Sequence, residues 1–233
     1  MNCIVVPVAN EKDSIRGFIS QVECLKIPGL RIVFVTDSYS TDGTKEIIAE
    51  IAAHQPGLLL LDLGRSGGLA QAYLAGLQYA RDIGAEKVIE VDVGHPVSLI
   101  PAFLEALDHA EVAFASRYIS GASVTNTPIK RRVISMLGTV VSRLLLRMPF
   151  SDCTSGLQGF RHSVLKRLPL DNFLSRGYIY QTEMKYYCSR LNFQEIPLNY
   201  VGGNAGLRWK SVAEAVSVLM RLFGRSDLIV RRE

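Results

Sequence analysis

No stretch of this 233-residue sequence is apolar for long enough to cross a membrane. A spanning helix needs about 18 uninterrupted apolar residues, and the richest segments, Val133–Phe150 and Val212–Phe223, are broken by Arg143, Arg147 and Arg221. The start, Met1-Asn2-Cys3-Ile4-Val5-Val6-Pro7, has neither a basic leader nor a long apolar stretch after it, so no signal peptide is expected. Cysteine is scarce. Cys3, Cys24, Cys153 and Cys188 lie far apart without a C-x-x-C pair, and the four histidines are scattered, which argues against a zinc site and for free thiols in a reducing compartment. A cytoplasmic protein is expected, with peripheral contact on the cytoplasmic membrane face, or a membrane partner, as the further expectation. There is no basic run of the kind that tracks nucleic acid, so no nucleic-acid partner is expected. The net charge of +4 suits a phosphate-bearing ligand or an anionic membrane surface. Repeats, low-complexity tracts and linkers are missing as well, and residues 1–233 read as a single domain.

What is present is a rhythm. Short runs rich in Val, Ile and Leu at Cys3–Val8, Arg31–Thr36, Leu58–Leu63, Lys87–Val93 and Val112–Ala115 alternate with helix-period segments near Lys12–Leu25, Thr44–Ala53, Leu69–Asp82 and Val97–Leu107. Apolar runs without polar alternation are strands covered on both faces. The alternation predicts an α/β fold with a mostly parallel sheet, helices on both sides and right-handed crossovers. After Ser116 the rhythm changes. A long helix is predicted over Ile129–Arg147, a loop over Ser151–Gly159, a helix over Gln181–Arg190 and a strand over Phe193–Tyr200. A glycine-rich loop and an amphipathic helix of about residues 211–224 complete the chain, the latter placing Val212, Val216, Leu219 and Phe223 on one face.

Ligands of open α/β sheets bind beyond the carboxyl ends of the strands, and four of those ends are polar. At Pro7-Val8-Ala9-Asn10-Glu11, Asn10 can cap the next helix with Glu11 at its positive end. In Asp37-Ser38-Tyr39-Ser40-Thr41-Asp42-Gly43-Thr44, Asp42 can cap a helix, while Asp37 can accept the ring N–H of a uracil or guanine. In Arg65-Ser66-Gly67-Gly68, glycines before a helix let backbone approach a phosphate, or simply make a tight turn. In Glu90-Val91-Asp92-Val93-Gly94-His95-Pro96, two acids two apart on a strand share a face. Such a pair repels itself unless a dication such as Mg²⁺ or Mn²⁺ neutralises it; the alternative is a solvated strand edge.

In order and spacing these segments resemble the family 2 glycosyltransferases, which have the GT-A fold. Pro7 with Asn10-Glu11 matches P-x-x-N-E, Asp37 with Ser40-Thr41-Asp42-Gly43-Thr44 matches D-x-x-S-T-D-G-T, and Glu90-Val91-Asp92 falls at the D-x-D metal motif. Further on, Ser116-Arg117-Tyr118, Arg131-Arg132 with Ser135, Asp152-Cys153-Thr154-Ser155-Gly156, Gly177-Tyr178, Gln181-x-Glu183 and Glu195-Ile196-Pro197 resemble the branch that includes dolichol-phosphate mannosyltransferases and other polyprenyl-phosphate sugar transferases.

The resemblance implies an inverting hexosyltransferase with a GDP- or UDP-sugar donor, Mg²⁺ or Mn²⁺, and a polyprenyl phosphate acceptor. It implies Glu90 and Asp92 at the metal, Asp37 at the base, and Pro7, Asn10, Glu11 and Gly68 around the donor. Arg117, Arg131, Arg132 and Ser135 would hold the acceptor phosphate. Asp152 would orient sugar or acceptor, or act as base toward an alcohol. The sequence departs from the family at Ala9, Ser38, Glu90 and Leu157-Gln158. Gly203 replaces the arginine of R-x-x-G-x-S-K, leaving Arg208 or Lys210 for the donor diphosphate. A soluble acceptor, or nucleotide-sugar binding without turnover, are the alternative readings.

Overall fold

A computed structural model describes residues 1–201 and 209–231; for Trp209 and Lys210 only the backbone is described. Arg208 and the loop from Gly203 therefore lie outside the described residues, as does the Lys210 side chain.

Seven strands form the central sheet: β1 Asn2–Pro7, β2 Arg31–Thr36, β3 Leu58–Asp62, β4 Lys87–Glu90, β5 Val112–Ser116, β7 Gln158–Arg161 and β8 Phe193–Pro197, in the order β3-β2-β1-β4-β7-β5-β8. All neighbours are parallel except β7, which runs antiparallel to both β4 and β5. A small second sheet pairs β6 Ser123–Thr125 with β9 Asn199–Val201.

The strands read as continuous apolar runs because both faces are covered. Along β1, Cys3 and Val5 pack on one side with α3 (Gly68–Asp82), α6 (His162–Arg167), α7 (Tyr180–Tyr187) and α8 (Trp209–Leu222). Ile4 and Val6 pack on the other with α1 (Ile15–Cys24), α2 (Thr44–Ala52) and α4 (Ile100–His109). The approach of α3 to the sheet is close: a Cβ on Gly76 would stand 2.2 Å from Val5 Cγ1. The four cysteines are free thiols, three of them buried.

Four expectations from the sequence are corrected. The fourth strand stops at Glu90 rather than Val93, because the chain turns so that the Asp92 N–H meets His95 Nδ1 at 2.9 Å. The segment expected to be a loop to Gly159 ends in β7, whose polar Gln158 and Gly159 hide a strand buried between β4 and β5. The last predicted strand is two, divided at Leu198. On α8 the buried residues are Val218, Leu219 and Leu222, whereas Val216 and Phe223 are exposed, so the predicted face is only partly the packed one.

The helix α5 (Ile129–Leu146) is inverted relative to an ordinary surface helix. Its inward side carries Ser135, Thr139 and Ser142, while Ile129, Val133, Met136, Leu137, Val140, Val141 and Leu144 are exposed. Among the described residues no helix is long and apolar enough to span a bilayer.

Candidate active site

The first two polar loops are stitched together by their own side chains. Asn10, in the left-handed region at φ 58°, donates from Nδ2 to the Tyr39 carbonyl (3.0 Å) and accepts from the Thr41 N–H (2.9 Å). It does not cap a helix, as α1 begins at Ile15. Glu11 N–H donates to Thr44 Oγ1 at 2.9 Å. Asp42, read as a helix cap, lies one residue before the capping position, held by Gly43. It accepts from Thr44 N–H and Oγ1 and from the Lys12 N–H, and the Thr44 hydroxyl foremost lowers its carboxyl. Asp37 extends the stitching to the glycine loop, taking the N–H of Tyr39 at 2.8 Å and of Gly67 at 3.2 Å. Gly68 follows at φ +76°, where a Cβ would meet the Arg176 carbonyl at 3.0 Å. Position and conformation both demand glycine. Pro7, Asn10, Glu11, Asp37 and Gly68 are thus brought around one rim, with Tyr39 exposed beside Asp37.

The two acids of the fourth segment are not side by side. Glu90 is wholly buried, accepting the Tyr180 hydroxyl on Oε1 and Gln158 Nε2 (3.0 Å) on Oε2. Burial pushes its carboxyl up to about 8, against the pull of the Tyr180 hydroxyl, so it is largely protonated at neutral pH. Asp92 lies beyond the strand end with its side chain 41% exposed, accepting the Tyr73 hydroxyl on Oδ1. His95 Nδ1 stands 3.7 Å from Asp92 Oδ2, but burial lowers that imidazole and Nδ1 is taken as an acceptor, so the contact is not an ion pair. Glu90 as a direct metal ligand is therefore corrected: both its oxygens are engaged and solvent does not reach it. Among the described residues there is no cluster of three or more metal-ligating side chains. Of the two acids, Asp92 is the one with an exposed carboxylate, which fits the way Mg²⁺ is held by one or two carboxylates plus substrate phosphates.

Of the residues expected to hold an acceptor phosphate, Arg117 meets Asp152 directly. This acid is fully buried and receives Arg117 N–H (3.1 Å), Arg117 Nε (2.7 Å) and a second guanidinium nitrogen (2.8 Å), with Thr154 N–H, Thr154 Oγ1 and Ser155 N–H. Burial alone would raise its carboxyl, but the bond and charge of Arg117 outweigh that and hold it at about 2. A carboxylate so acidic and so fully bonded is a poor general base at neutral pH, which argues against the expectation that Asp152 serves as one.

Arg117 also donates to Thr154 Oγ1 (2.6 Å), which lies 2.9 Å from Ser135 Oγ. Its guanidinium sits over the rings of Tyr118 and Tyr200, and Arg131 donates to the Tyr200 hydroxyl at 3.4 Å. Arg117, Arg131 and Ser135 are thus brought together, whereas Arg132 stands on the exposed side of α5. Below them Lys185 is fully buried, donating to the Ser155 carbonyl at 2.5 Å. Burial brings its ammonium down to about 8.

The two halves touch. A Cβ on Gly156, in the Asp152 loop, would lie 3.4 Å from His95 Cε1, next to Asp92. A cleft of about 680 Å³ elsewhere, lined by Arg65, Gln71, Gln78, Phe173, Arg176 and Arg221, contains none of these residues. Tyr73, Tyr180, Gln158, His95, Thr154 and Tyr200 escaped the sequence reading. His95 and Thr154 lie inside motifs and Gln158 beside one, without a role assigned there; Tyr73, Tyr180 and Tyr200 carried no signal.

A seven-stranded sheet with one reversed strand, and polar loops gathered at its strand ends, is a GT-A arrangement. The chain belongs to glycosyl transferase family 2, whose model matches residues 3–169, and it is a glycosyltransferase. It is 31% identical over 178 residues to undecaprenyl-phosphate mannosyltransferase of Micrococcus luteus, covering 75% of this chain and 73% of that protein. It is 29% identical over 210 residues to polyprenol monophosphomannose synthase of Mycolicibacterium smegmatis, covering 88% and 78%. Among solved structures it resembles glucosyl-3-phosphoglycerate synthase from Mycobacterium tuberculosis in complex with Mn²⁺, UDP-glucose and phosphoglyceric acid. The TM-score is 0.69 at 14% identity, covering 95% of this chain and 79% of that one.

Proposed function

We propose that this glycosyltransferase moves a hexose from a UDP- or GDP-sugar to a polyprenyl phosphate, inverting the anomeric carbon, with Mg²⁺ or Mn²⁺ held at Asp92. The observation carrying this reading is the saturation of Asp152. An alcohol acceptor needs a base beside it, and the acid that Arg117 holds is committed: Asp152 takes six donors. A phosphate acceptor arrives already ionised and needs none. One of its oxygens forms the new bond to the anomeric carbon as the bond to the nucleoside diphosphate breaks, and no proton has to move.

The chain's own residues then position two anions and screen their charge. Arg117 keeps one guanidinium edge without a bond to any described residue, so it can bind phosphate while Asp152 fixes its plane. Ser135 and Arg131 adjoin it. On the donor side Asp37, held by the N–H groups of Tyr39 and Gly67, would accept a base N–H as a further bond, and the exposed Tyr39 ring can stack on the base. A dication at Asp92 supplies positive charge beside the donor diphosphate. Arg208 and Lys210 remain candidates for that diphosphate by sequence alone.

Two of the relatives are by name an undecaprenyl-phosphate mannosyltransferase and a polyprenol monophosphomannose synthase, and mannose is accordingly the first hexose to test. The exposed apolar side of α5, continuous in sequence with Arg131 and Ser135, supports peripheral membrane contact where a polyprenyl chain would reside. Incubation with radiolabelled GDP-mannose, UDP-glucose or UDP-GlcNAc and Mn²⁺, against undecaprenyl phosphate, undecaprenol and 3-phosphoglycerate, tests the reading. Transfer to the lipid phosphate supports it; transfer to the lipid alcohol or to the soluble acid instead overturns it.

A further inference from the structure

The orientation of Asp92 is set from inside the protein by a phenol. Tyr73 lies on α3 among alanines and leucines, wholly buried. Its ring stacks on Tyr180, with centroids 5.4 Å apart and planes 6° from parallel, and its hydroxyl donates to Asp92 Oδ1. The Tyr180 hydroxyl in turn donates to Glu90, which Gln158 also holds. A buried phenol in an apolar helix must find a partner for its hydroxyl, and here the partner is the half-exposed acid of the donor side. The terminal torsion of an aspartate is soft and roughly two-fold. With Oδ1 bonded inward to a ring locked by stacking, Oδ2, 3.7 Å from His95 Nδ1, is the oxygen of this half-exposed side chain left without a hydrogen bond to any described residue.

We propose that Tyr73 is a positioning residue for the divalent cation: it fixes the Asp92 carboxylate so that one oxygen is presented to the metal and the donor diphosphate. The inference rests on the reading of Asp92 as the metal-holding carboxylate. It assigns to a helix residue outside every motif the orienting part that partners of metal ligands play, whose loss typically weakens metal affinity by about 10- to 100-fold.

Mn²⁺ binding to the whole chain, followed by electron paramagnetic resonance with UDP and with GDP, reads this without turnover. Tyr73→Phe keeps the ring and its stack and removes only the hydroxyl. It should weaken Mn²⁺ binding by at least about 10-fold, with the urea midpoint changed little and kcat restored at saturating Mn²⁺. Tyr180→Phe, which keeps the stack and leaves Asp92 bonded to Tyr73, should bind Mn²⁺ nearly as the wild type does. Wild-type affinity in Tyr73→Phe, with binding lost in Asp92→Asn, overturns the role of Tyr73 and leaves that of Asp92 standing. Wild-type affinity in Asp92→Asn overturns both. Tyr73→Met, lacking hydroxyl and ring together, is the second variant, and either one that folds decides the matter by the same affinity.

Discussion

Replacing Asp152 by asparagine separates an anchoring acid from a catalytic one. The amide keeps the size of the carboxylate but turns one acceptor into a donor, which must then point at Arg117, Thr154 or Ser155, all of them donating inward. Arg117, whose side chain is only 13% exposed, loses its counter-charge. Leaving one member of a buried pair unpaired costs about 3–5 kcal/mol. For a domain of this size each kcal/mol lowers Tm by roughly 2–4 °C, so a fall on the order of 10 °C is expected. Urea unfolding should show the same loss, and the double variant Arg117→Met/Asp152→Asn should be less destabilised than the sum of its parts, because no charge is stranded. The sign with pH follows from a folded value of about 2 against an ordinary 3.8. The contribution of this acid is present above about pH 4 and lost as pH falls through about 2, and in Asp152→Asn that acid slope disappears. The reasoning is refuted if Asp152→Asn is as stable as the wild type and its turnover alone is lost, recovering at high pH as a missing base would.

Glu90 gives the opposite slope. Its carboxyl is raised from 4.5 to about 8, so its contribution is complete below about pH 4.5 and fades as pH rises through about 8; Glu90→Gln should abolish that slope in urea melts and still bind Mn²⁺. Lys185, lowered from 10.5 to about 8, should make the wild type gain stability between those values, a gain absent from Lys185→Met in the same melts. Leu137→Glu or Leu144→Glu, on the exposed side of α5, should reduce sedimentation with vesicles containing anionic lipid and undecaprenyl phosphate without lowering Tm.

The sheet was legible because its strands are buried on both faces. Cys3–Val8 and Arg31–Thr36 read as unbroken apolar runs, and the polar ends beyond them marked the crevice. The strand Gln158–Arg161 was not legible, since its pattern is polar although neighbours bury it, and Gln158 is there to meet Glu90. Spacing predicted that Glu90 and Asp92 would share a face, which holds only while the strand continues; it ends between them, leaving one acid in the core and the other in the crevice. The cluster of Arg117, Arg131 and Ser135 was foreseen from family motifs. That Asp152 belongs to it as the anion fixing Arg117 follows only from the fold, which brings the two loops together. Tyr73 and Tyr180 had no sequence signal, because an aromatic within an apolar helix reads as ordinary core.

The decisive measurement is sugar transfer by the purified chain with Mn²⁺, comparing undecaprenyl phosphate and undecaprenol at matched concentration across pH 5 to 8, as rough bounds within which an ionised acceptor needs no base. The account predicts product from the phosphate alone, lost in Asp92→Asn and in Arg117→Ala. Product from the free alcohol, or undiminished transfer by Asp92→Asn, would contradict it.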